Sequence, residues 1–272
     1  MTIHVRAPAS TANIGPGFDC ASAALDLWNE LELSKDAPPP DRDHLAVRAF
    51  ERIAPLDGLG FSFTDRIPRE RGLGSSAATI ALGLVAGALV AGRELVPEEL
   101  LAAGLDLEGH PDNLAAALSG GVCLTWNGAI ARIAEDAPAT PIALVPGQRV
   151  GTAAARAALP SLVGHTDAAH SVASAALLGA SLASGSATLF AAAAAGDRLH
   201  EPYRADRAPL LGAVRERPPA GMIAATLSGS GPSVIVWAQH DLADACADEL
   251  RRAFSGADVL TLSISTTGAG PV

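Results

Sequence analysis

The sequence predicts an α+β fold in two compact halves. The chain has 272 residues, enough for two small domains that each bury a core. In the first half, alternating apolar and polar residues predict strands at 3–7, 26–33 and 61–67, with a helical pattern between the last two. In the second half, two apolar segments joined by SGSG, then a helix and a last apolar segment, predict an antiparallel sheet with helices on one face.

The first strand, IHVRA, leads into the segment PASTANIGPGFD at residues 8–19. Its two prolines and two glycines predict an irregular loop that ends at Asp19. Two interpretations are open at this point. The segment is either a plain turn in which Asn13 and Asp19 bond to their own backbone, or a loop that presents both side chains to a site.

A glycine-rich loop, RGLGSSAAT at residues 71–79, leads into the most apolar segment of the chain. The apolar segment at 77–92 is too short and too rich in small residues for a membrane span. Its glycines predict a buried, closely packed helix. If this helix starts at Ser76, its free N–H groups and the positive end of its dipole favour a phosphate. A turn with a serine cap is the alternative.

Polar side chains concentrate in EGHPDN, at residues 108–113. A helix predicted over VPEELLAAGLDLE, with Pro97 in its first turn, precedes this segment, and a short helix, a Gly-Gly turn and a strand follow it. Glu108, His110, Asp112 and Asn113 make the segment a candidate site. Alternatively, Asp112 or Asn113 caps the short helix and His110 is exposed.

The second half is predicted to begin after the apolar segment PIALV, which gives domains at 1–146 and 147–272. Alanine-rich helical patterns come first, and they contain Arg156 and Arg204. Lone arginines are usually solvated, so only convergence on one pocket would make these two a carboxylate clamp. The loop SGSGP at 228–232, taken alone, indicates no more than a hairpin turn.

Composition limits the classes of partner. A formal net charge of −10 and a pI near 5.1 argue against nucleic acid or an anionic membrane surface as the main partner. The three cysteines are widely spaced and odd in number, so they suggest neither a zinc site nor a disulfide framework. The first residues lack a signal-peptide pattern. We therefore expect a cytoplasmic protein whose anionic ligands need a local basic pocket.

The loop GLGSS is neither a Walker loop nor a Rossmann fingerprint, because no lysine follows in the required position and no GxGxxG follows a strand. A nucleotide would therefore be held mainly by backbone donors and the helix end, with help from Ser75 and Ser76. Phosphoryl transfer also needs a cation, commonly Mg²⁺ on carboxylates or hydroxyls, and Glu108 is a candidate ligand.

Six segments, taken in order, resemble the homoserine kinases of the GHMP small-molecule kinase superfamily: PASTANIGPGFD, PRERGLGSSAA, EGHPDN, TAAARAALP, EPYR and LSGSGPS. The resemblance spans residues 7–268. It implies the two-domain GHMP kinase fold, with an N-terminal α+β domain similar to ribosomal-protein domains, a ferredoxin-like C-terminal domain, and the site between them.

The resemblance further implies transfer of a phosphoryl group from ATP to the side-chain hydroxyl of L-homoserine, in threonine biosynthesis. Another GHMP kinase substrate, such as mevalonate or a sugar, is the alternative, and a catalytically silent nucleotide-binding relative is a third reading. ATP and Mg²⁺ are the implied cofactors. A homodimer is allowed, since relatives are often dimers. The implied phosphate loop comprises Pro68, Arg69, Glu70, Arg71, Gly72, Leu73, Gly74, Ser75, Ser76, Ala77 and Ala78.

Ser76 and Glu108 resemble the Mg²⁺ ligands of the family. The residues that match its amino-acid pocket, or the loop that closes on it, are Asn13, Asp19, His110, Asp112, Asn113, Thr152, Arg156, Arg204, Ser230 and Gly231.

Charge matching assigns roles within this set. The two arginines would pair with the α-carboxylate, and Asp19, aided by Asn13, with the α-ammonium. Asn113 would hold the hydroxyl in line with the γ-phosphate. The family has no obvious aspartate base, so the hydroxyl proton is expected to pass to the phosphate, with Asp19 as the alternative base. His44 stands where the family usually has Asn near the purine.

Overall fold

The computed structural model describes residues 2–149, 151 and 155–272. Two antiparallel sheets form its framework. The first has the order β10-β1-β2-β4-β5, with β3 also paired to β2; its strands are β1 (Ile3–Asn13), β2 (Gly17–Ser34), β3 (Gly60–Thr64), β4 (Val122–Trp126), β5 (Ala129–Ala134) and β10 (Gly270–Pro271). The second has the order β7-β8-β6-β9, from β6 (Thr140–Pro146), β7 (Met222–Leu227), β8 (Val234–Ala238) and β9 (Ala257–Thr261).

The α-helices divide between the two sheets. Those of the first half are α1 (Leu45–Glu51), α2 (Ser75–Val90), α3 (Pro97–Glu108) and α4 (Pro111–Ser119). Those of the second half are α5 (His165–Ser184), α6 (Ala187–Ala194), α7 (Glu201–Arg204), α8 (Pro209–Glu216) and α9 (Ala243–Ala253). The mixture of helices with two antiparallel sheets confirms the predicted α+β class.

The segment predicted as an irregular loop at 8–19 is mostly strand, so that prediction is wrong. β1 continues through Pro8 to Asn13, and β2 begins at Gly17. The register between the two strands shifts after Pro8 and again after Ala12. Proline is tolerated in a sheet at such a bulge, where its missing N–H breaks no regular ladder bond. The bulges therefore let the hairpin extend to the turn.

Helix α2 confirms the prediction of a buried, closely packed helix. A Cβ on Gly83 would lie 2.0 Å from the backbone oxygen of Ala46 in α1, so only glycine allows the two helices to approach this closely. No helix among the described residues is long and apolar enough to cross a membrane.

The second sheet is covered on both faces, whereas the sequence predicted helices on one. Val234 and Val236 of β8 face the core formed with α8 and α9. Ile235 and Trp237 face the opposite side, where Phe190 of α6 packs edge-on against Trp237 with ring centroids 5.1 Å apart. That side is continuous with the core of the first sheet, so the two halves share apolar packing.

The chain crosses between the two sheets more than once. β6 pairs with β8 and β9 of the second sheet, so the chain has passed from the first sheet to the second by Thr140. After β9 the chain returns, because Ile264 bridges to Leu25 and β10 pairs with β1. The division into 1–146 and 147–272 remains a prediction. Because β6 already belongs to the second sheet, we propose a boundary a few residues earlier, before Thr140.

Candidate active site

One cleft of about 220 Å³ collects segments that are far apart in the sequence. It lies where the β1–β2 turn, the glycine-rich loop, the α3–α4 junction and the β7–β8 loop meet. Its lining residues are Asn13, Asp19, Glu70, Gly72, Gly74, Ser75, Ser76, Glu108, His110, Asp112, Asn113, Gly151, Arg156, Arg204, Gly229 and Ser230. The two predicted arginines therefore converge on one pocket with the acidic and glycine-rich segments.

The glycine-rich loop is pressed between β1 and the β7–β8 loop. Gly72 and Gly74 have φ angles of 83° and 65°, which favour glycine. A Cβ on Gly72 would lie 2.2 Å from the backbone oxygen of Ser228, and one on Gly74 would lie 2.0 Å from Oγ of Ser10. The loop therefore needs glycine both for its backbone angles and for close contact with its neighbours.

Helix α2 begins at Ser75, one residue before the predicted start, and its N-cap is Gly74. Glycine has no side chain that could cap the first turn, so the free N–H groups there receive no hydrogen bond from a capping side chain. These donors and the positive end of the helix dipole lie beside the cleft. The arrangement suits the oxygens of a phosphate.

Not every residue of the predicted phosphate loop lines the cleft. Leu73, Ala77 and Ala78 are fully buried and anchor the loop in the core. The Arg71 guanidinium donates to the backbone oxygens of Pro146 (2.9 Å) and Gly147 (3.0 Å). Pro68 and Arg69 also lie outside the cleft lining, and Arg69 pairs with Asp65.

Ser76, Glu108 and His110 form a polar cluster at one side of the cleft. The hydroxyl of Ser76 donates to Oε2 of Glu108, whose side chain is only 5% exposed. Burial raises the pKa of Glu108 to about 7. Nδ1 of His110 lies 3.4 Å from Oδ1 of Asp112, and this carboxylate raises the pKa of His110.

The first turn of α4 presents Asp112 and Asn113. Oδ1 of Asp112 accepts the N–H of Asn113 at 2.7 Å. The N-cap of this helix is His110, which is only partly exposed and makes no side-chain cap bond, so the alternative capping interpretation is wrong. Oδ1 of Asn113 accepts the hydroxyl of Ser10 at 2.9 Å. This bond leaves the amide nitrogen of Asn113, a donor, for a group in the cleft.

Asp19 lies opposite this turn in a left-handed backbone conformation, with a φ of 52°. Its N–H donates to Oδ1 of Asn13 at 3.0 Å, and Nδ2 of Asn13 donates to the backbone oxygen of Gly229 at 2.8 Å. One guanidinium nitrogen of Arg156 contacts both carboxylate oxygens of Asp19, at 2.8 and 2.9 Å. The β1–β2 turn and the β7–β8 loop are thus joined at the cleft.

Arg204 is almost fully buried, at 3% exposure. Its Nη1 donates to the backbone oxygen of Gly229 at 3.2 Å and lies 3.0 Å from Nδ1 of His200. Burial lowers its pKa, although an arginine of this kind keeps its charge. The centre of its guanidinium lies 5.6 Å from the ring centroid of Phe18.

Among the described residues, one member of the predicted amino-acid pocket lies outside the cleft. Gly231 does not line it, and its N–H donates to the backbone oxygen of Ser228 at 2.8 Å, which shapes the β7–β8 turn. Thr152 lies outside the described residues. Site neighbours that sequence reasoning did not single out are Ser10, Phe18, His200 and Gly229. Ser10 and Phe18 belong to the PASTANIGPGFD segment, which was their only signal.

A second cleft, of about 450 Å³, adjoins the first and shares Glu70, Ser75 and Ser76 with it. His44 lies in its wall and packs against Phe63, with ring centroids 4.1 Å apart and planes inclined by 34°. Nδ1 of His44 accepts the N–H of Ala46 at 3.3 Å, so the side chain also caps α1. Burial lowers the pKa of His44, which favours the neutral ring.

Comparison with known proteins places this chain in a family. The GHMP kinase N-terminal domain profile matches residues 44–121, and the GHMP kinase C-terminal profile matches residues 177–256. A homoserine kinase from Streptomyces avermitilis is 37% identical over 98% of this chain and 94% of its own length. One from Streptomyces coelicolor is 38% identical, over 89% of this chain and 86% of its own.

The fold is shared with a solved structure. The crystal structure of a homoserine kinase from Cytophaga hutchinsonii superposes with a TM-score of 0.87, at 24% identity, over 100% of this chain and 97% of that one. This likeness supports the two-domain fold. The assignment to a family rests on the relatives that are similar in sequence. The chain therefore belongs to the homoserine kinase family of the GHMP kinases.

Proposed function

We propose that this protein transfers the γ-phosphoryl group of ATP to the side-chain hydroxyl of L-homoserine and forms O-phospho-L-homoserine for threonine biosynthesis. The observation that carries the proposal is the grouping of Asp19, Arg156 and Arg204 in the same cleft as the glycine-rich loop. An acid and two arginines match a zwitterionic amino acid, and the loop matches a polyphosphate. The curated relatives are named homoserine kinases.

The nucleotide phosphates would lie on the glycine-rich loop. No lysine lines the cleft among the described residues, so backbone N–H groups and the N-terminus of α2 would bear most of this contact. The base would then extend into the adjoining cleft beside His44. The shared wall of Glu70, Ser75 and Ser76 supports this path between the two clefts.

Ser76 and Glu108 fit a magnesium ion. No group of three or more His, Cys, Asp or Glu in the described part of the chain is arranged to hold a metal alone. A hydroxyl and one carboxylate, completed by phosphate oxygens and water, is a donor set that Mg²⁺ accepts. The ion would neutralise charge on the β- and γ-phosphate oxygens. It would also favour the ionised form of Glu108.

The amino acid would exchange partners with an ion pair that is already in the cleft. Asp19 and Arg156 contact each other at 2.8 Å. The α-ammonium of homoserine can replace Arg156 at Asp19, and the α-carboxylate can take up Arg156 together with Arg204. Both new contacts are between opposite charges, so no charge in the cleft loses its partner.

Asn113 would orient the reacting hydroxyl. Because its Oδ1 is engaged by Ser10, its Nδ2 can donate to the hydroxyl oxygen and hold it toward the γ-phosphorus. The hydroxyl oxygen forms the new bond to phosphorus as the bond to the β–γ bridging oxygen breaks, which releases ADP. Positioning of this kind, with charge neutralisation, carries most of the catalysis in phosphoryl transfer.

The hydroxyl proton would pass to a phosphoryl oxygen. Asp19 is the alternative base, but with homoserine bound its carboxylate would be occupied by the α-ammonium group. Its contact with the α-ammonium group therefore favours the binding role for Asp19 over the base.

A substrate panel tests the proposal. ADP release would be measured with Mg·ATP and L-homoserine, mevalonate or a set of sugars as acceptor, with O-phosphohomoserine identified by mass spectrometry. We expect turnover with homoserine. Turnover with mevalonate or a sugar alone would overturn the substrate assignment, and Mg·ATP binding without transfer to any alcohol would indicate a silent relative. The expected homodimer and the cytoplasmic location remain predictions.

A further inference from the structure

We propose that His200 is a positioning residue, which holds the guanidinium of Arg204 in the orientation that receives the substrate carboxylate. The inference rests on the proposed function, since it takes Arg204 as a ligand of that carboxylate. His200 does not line the cleft, and its side chain is fully buried behind Arg204. Its action would therefore pass through Arg204.

Both ring nitrogens of His200 have defined partners. Nδ1 lies 3.0 Å from Nη1 of Arg204, and Nε2 lies 2.8 Å from the backbone oxygen of Gly15. A guanidinium can only donate and a carbonyl oxygen can only accept. The ring must therefore be neutral, with its hydrogen on Nε2 and a free lone pair on Nδ1. Burial, which lowers the pKa of His200, favours the same neutral form.

This contact decides which edge of Arg204 remains for a ligand. Nη1 is engaged by His200 and by the backbone oxygen of Gly229. Nε is buried and has no hydrogen-bond partner among the described residues. An unpaired buried N–H is costly, and because Arg204 lines the cleft, a ligand bound there can pair with this one. The edge formed by Nε and Nη2 has the geometry that binds a carboxylate at two points.

The ring of His200 is fixed by packing as well as by hydrogen bonds. It stacks on Phe18, with centroids 5.3 Å apart and planes inclined by 23°. Phe18 belongs to β2, next to Asp19, and its ring lies 5.8 Å from the guanidinium centre of Arg156. His200 therefore joins the turn that carries Asp19 to the residues that carry Arg204.

The backbone of His200 is also held. The carboxylate of Asp197 accepts the N–H groups of His200 at 3.0 Å and Glu201 at 2.7 Å, which fixes the start of α7. Arg204 follows His200 by four residues, one helical turn, so the two side chains lie on the same side of this segment. The ring thus reaches Arg204 from a fixed backbone.

Two substitutions separate the two hydrogen bonds of the ring. His200→Asn places an amide oxygen near the position of Nδ1, so it can keep an acceptor for Arg204 while it loses the donor to Gly15. His200→Gln places its amide nitrogen near the position of Nε2, so it can keep the donor while it loses the acceptor. Both remove the stacking on Phe18, and they serve as matched controls for each other.

The measured quantity is the preference of the enzyme for an acceptor that has a carboxylate over one that lacks it. It is the ratio of kcat/KM for L-homoserine to kcat/KM for 3-aminopropan-1-ol, which has the hydroxyl and ammonium groups but no carboxylate. We expect His200→Gln to lower this ratio roughly tenfold or more, as for one charge-assisted hydrogen bond, and His200→Asn to stay near wild type. KM for ATP should be unchanged in both.

The possible outcomes are distinct. Equal ratios in wild type and both variants would overturn the inference, and so would a parallel rise of KM for ATP, which indicates a merely structural role. If wild type does not phosphorylate homoserine, the proposed function fails instead.

The hydrogen position on the ring of the wild-type protein is a separate test, which needs neither turnover nor a folded His200 variant and uses Arg204→Lys only to assign the signals. With ¹⁵N-labelled histidine, the ring whose signals move in Arg204→Lys should have a bare Nδ1 and a protonated Nε2. A protonated Nδ1 would overturn the inference.

Discussion

Asp19 and Arg156 neutralise each other across the cleft, with one guanidinium nitrogen 2.8 and 2.9 Å from the two carboxylate oxygens. Their side chains are 35% and 44% exposed, so the pair is open to solvent and to ligands. Solvent-exposed ion pairs contribute little to stability. The pair is therefore weak enough for a zwitterion to separate, and its members are already near the groups that they would bind.

The first prediction concerns Arg156→Ala. We expect KM for homoserine to rise roughly 10- to 100-fold through loss of a charge-assisted contact, with KM for ATP nearly unchanged. 3-Aminopropan-1-ol should bind the variant at least as well as wild type, because Asp19 no longer has to release Arg156. Steady-state kinetics on both acceptors would measure this.

The control for Arg156 is Arg198→Ala. Arg198 forms an ion pair of similar exposure with Asp167, 43% for each side chain, and does not line the cleft. We expect no change in either KM. If Arg156→Ala weakened homoserine and 3-aminopropan-1-ol equally, Arg156 would not contact the carboxylate.

The second prediction concerns the pH dependence of stability through Glu108. Its pKa is raised from 4.5 to about 7, mainly by burial. A carboxyl with a higher pKa in the folded state takes up protons on folding, so its contribution to stability is greatest in acid and is lost as pH rises through about 7. Glu108→Gln should therefore be more stable than wild type by about 3 kcal/mol near pH 8, a difference that disappears below about pH 4.

Urea unfolding in metal-free buffer, at several pH values, would measure the effect of Glu108→Gln. Glu98→Gln, on the exposed first turn of the same helix, is the control and should change stability little at any pH. A wild-type protein as stable as Glu108→Gln near pH 8 would show that burial does not hold this carboxyl in its neutral form.

The third prediction concerns Gly74→Ala. Alanine at this position would have a left-handed φ of 65° and a Cβ 2.0 Å from Oγ of Ser10, so it would displace the hydroxyl that Asn113 accepts. We expect KM for ATP to rise at least tenfold, kcat to fall, and stability to drop by more than the 1–2 kcal/mol, roughly, of the backbone strain alone.

Gly92→Ala is the matched control for Gly74→Ala. Gly92 lies just beyond the other end of α2 with a φ of 63°, and a Cβ there would meet no atom within 4 Å. The control should lose only about 1–2 kcal/mol and keep wild-type kinetics. Kinetics of Gly74→Ala that matched this control would mean that the glycine-rich loop does not contact the nucleotide.

The fourth prediction separates the two roles of His44. His44→Ala removes the cap of α1 and should cost about 1 kcal/mol, whereas asparagine is a good cap and should keep wild-type stability. Both variants lose the ring that packs against Phe63 and forms part of the wall of the second cleft, so KM for ATP should rise several-fold in both. Thermal unfolding and kinetics would measure the two effects, and an unchanged KM would place the base elsewhere.

Local sequence patterns predicted much of this structure, because hydrophobic period and capping chemistry are local. Helix α2, helix α3 and the strands around the SGSG loop follow from such patterns. β10 has only two residues and is defined by its partner β1, so no periodicity could indicate it. The strand through Pro8 was missed because a bulge, which depends on pairing with β2, accommodates the proline.

The candidate site shows the same limit. Glu108 and Asn113 stood out because polar residues are dense in EGHPDN, and the resemblance to the homoserine kinases indicated the rest. Nothing in the local sequence distinguishes His200 or Ser10. Each has a hydrogen-bond partner that is distant in the sequence, Gly15 for His200 and Asn113 for Ser10. The contact of His200 with Gly15 arises only when the two halves pack together, and that of Ser10 with Asn113 only when β1 and α4 come together within the first half.

The return of the chain to its first sheet limits how the halves can move. Two separate connections join the sheets, one before β6 and one after β9, and Val272 donates its N–H to the backbone oxygen of His4 beside the β1–β10 pair. The halves also share an apolar core through Trp237 and Phe190, so this packing and the two connections together resist rotation of one half against the other. Shortening the last residues should therefore loosen the edge of the first sheet and, with it, one of the two ties between the halves.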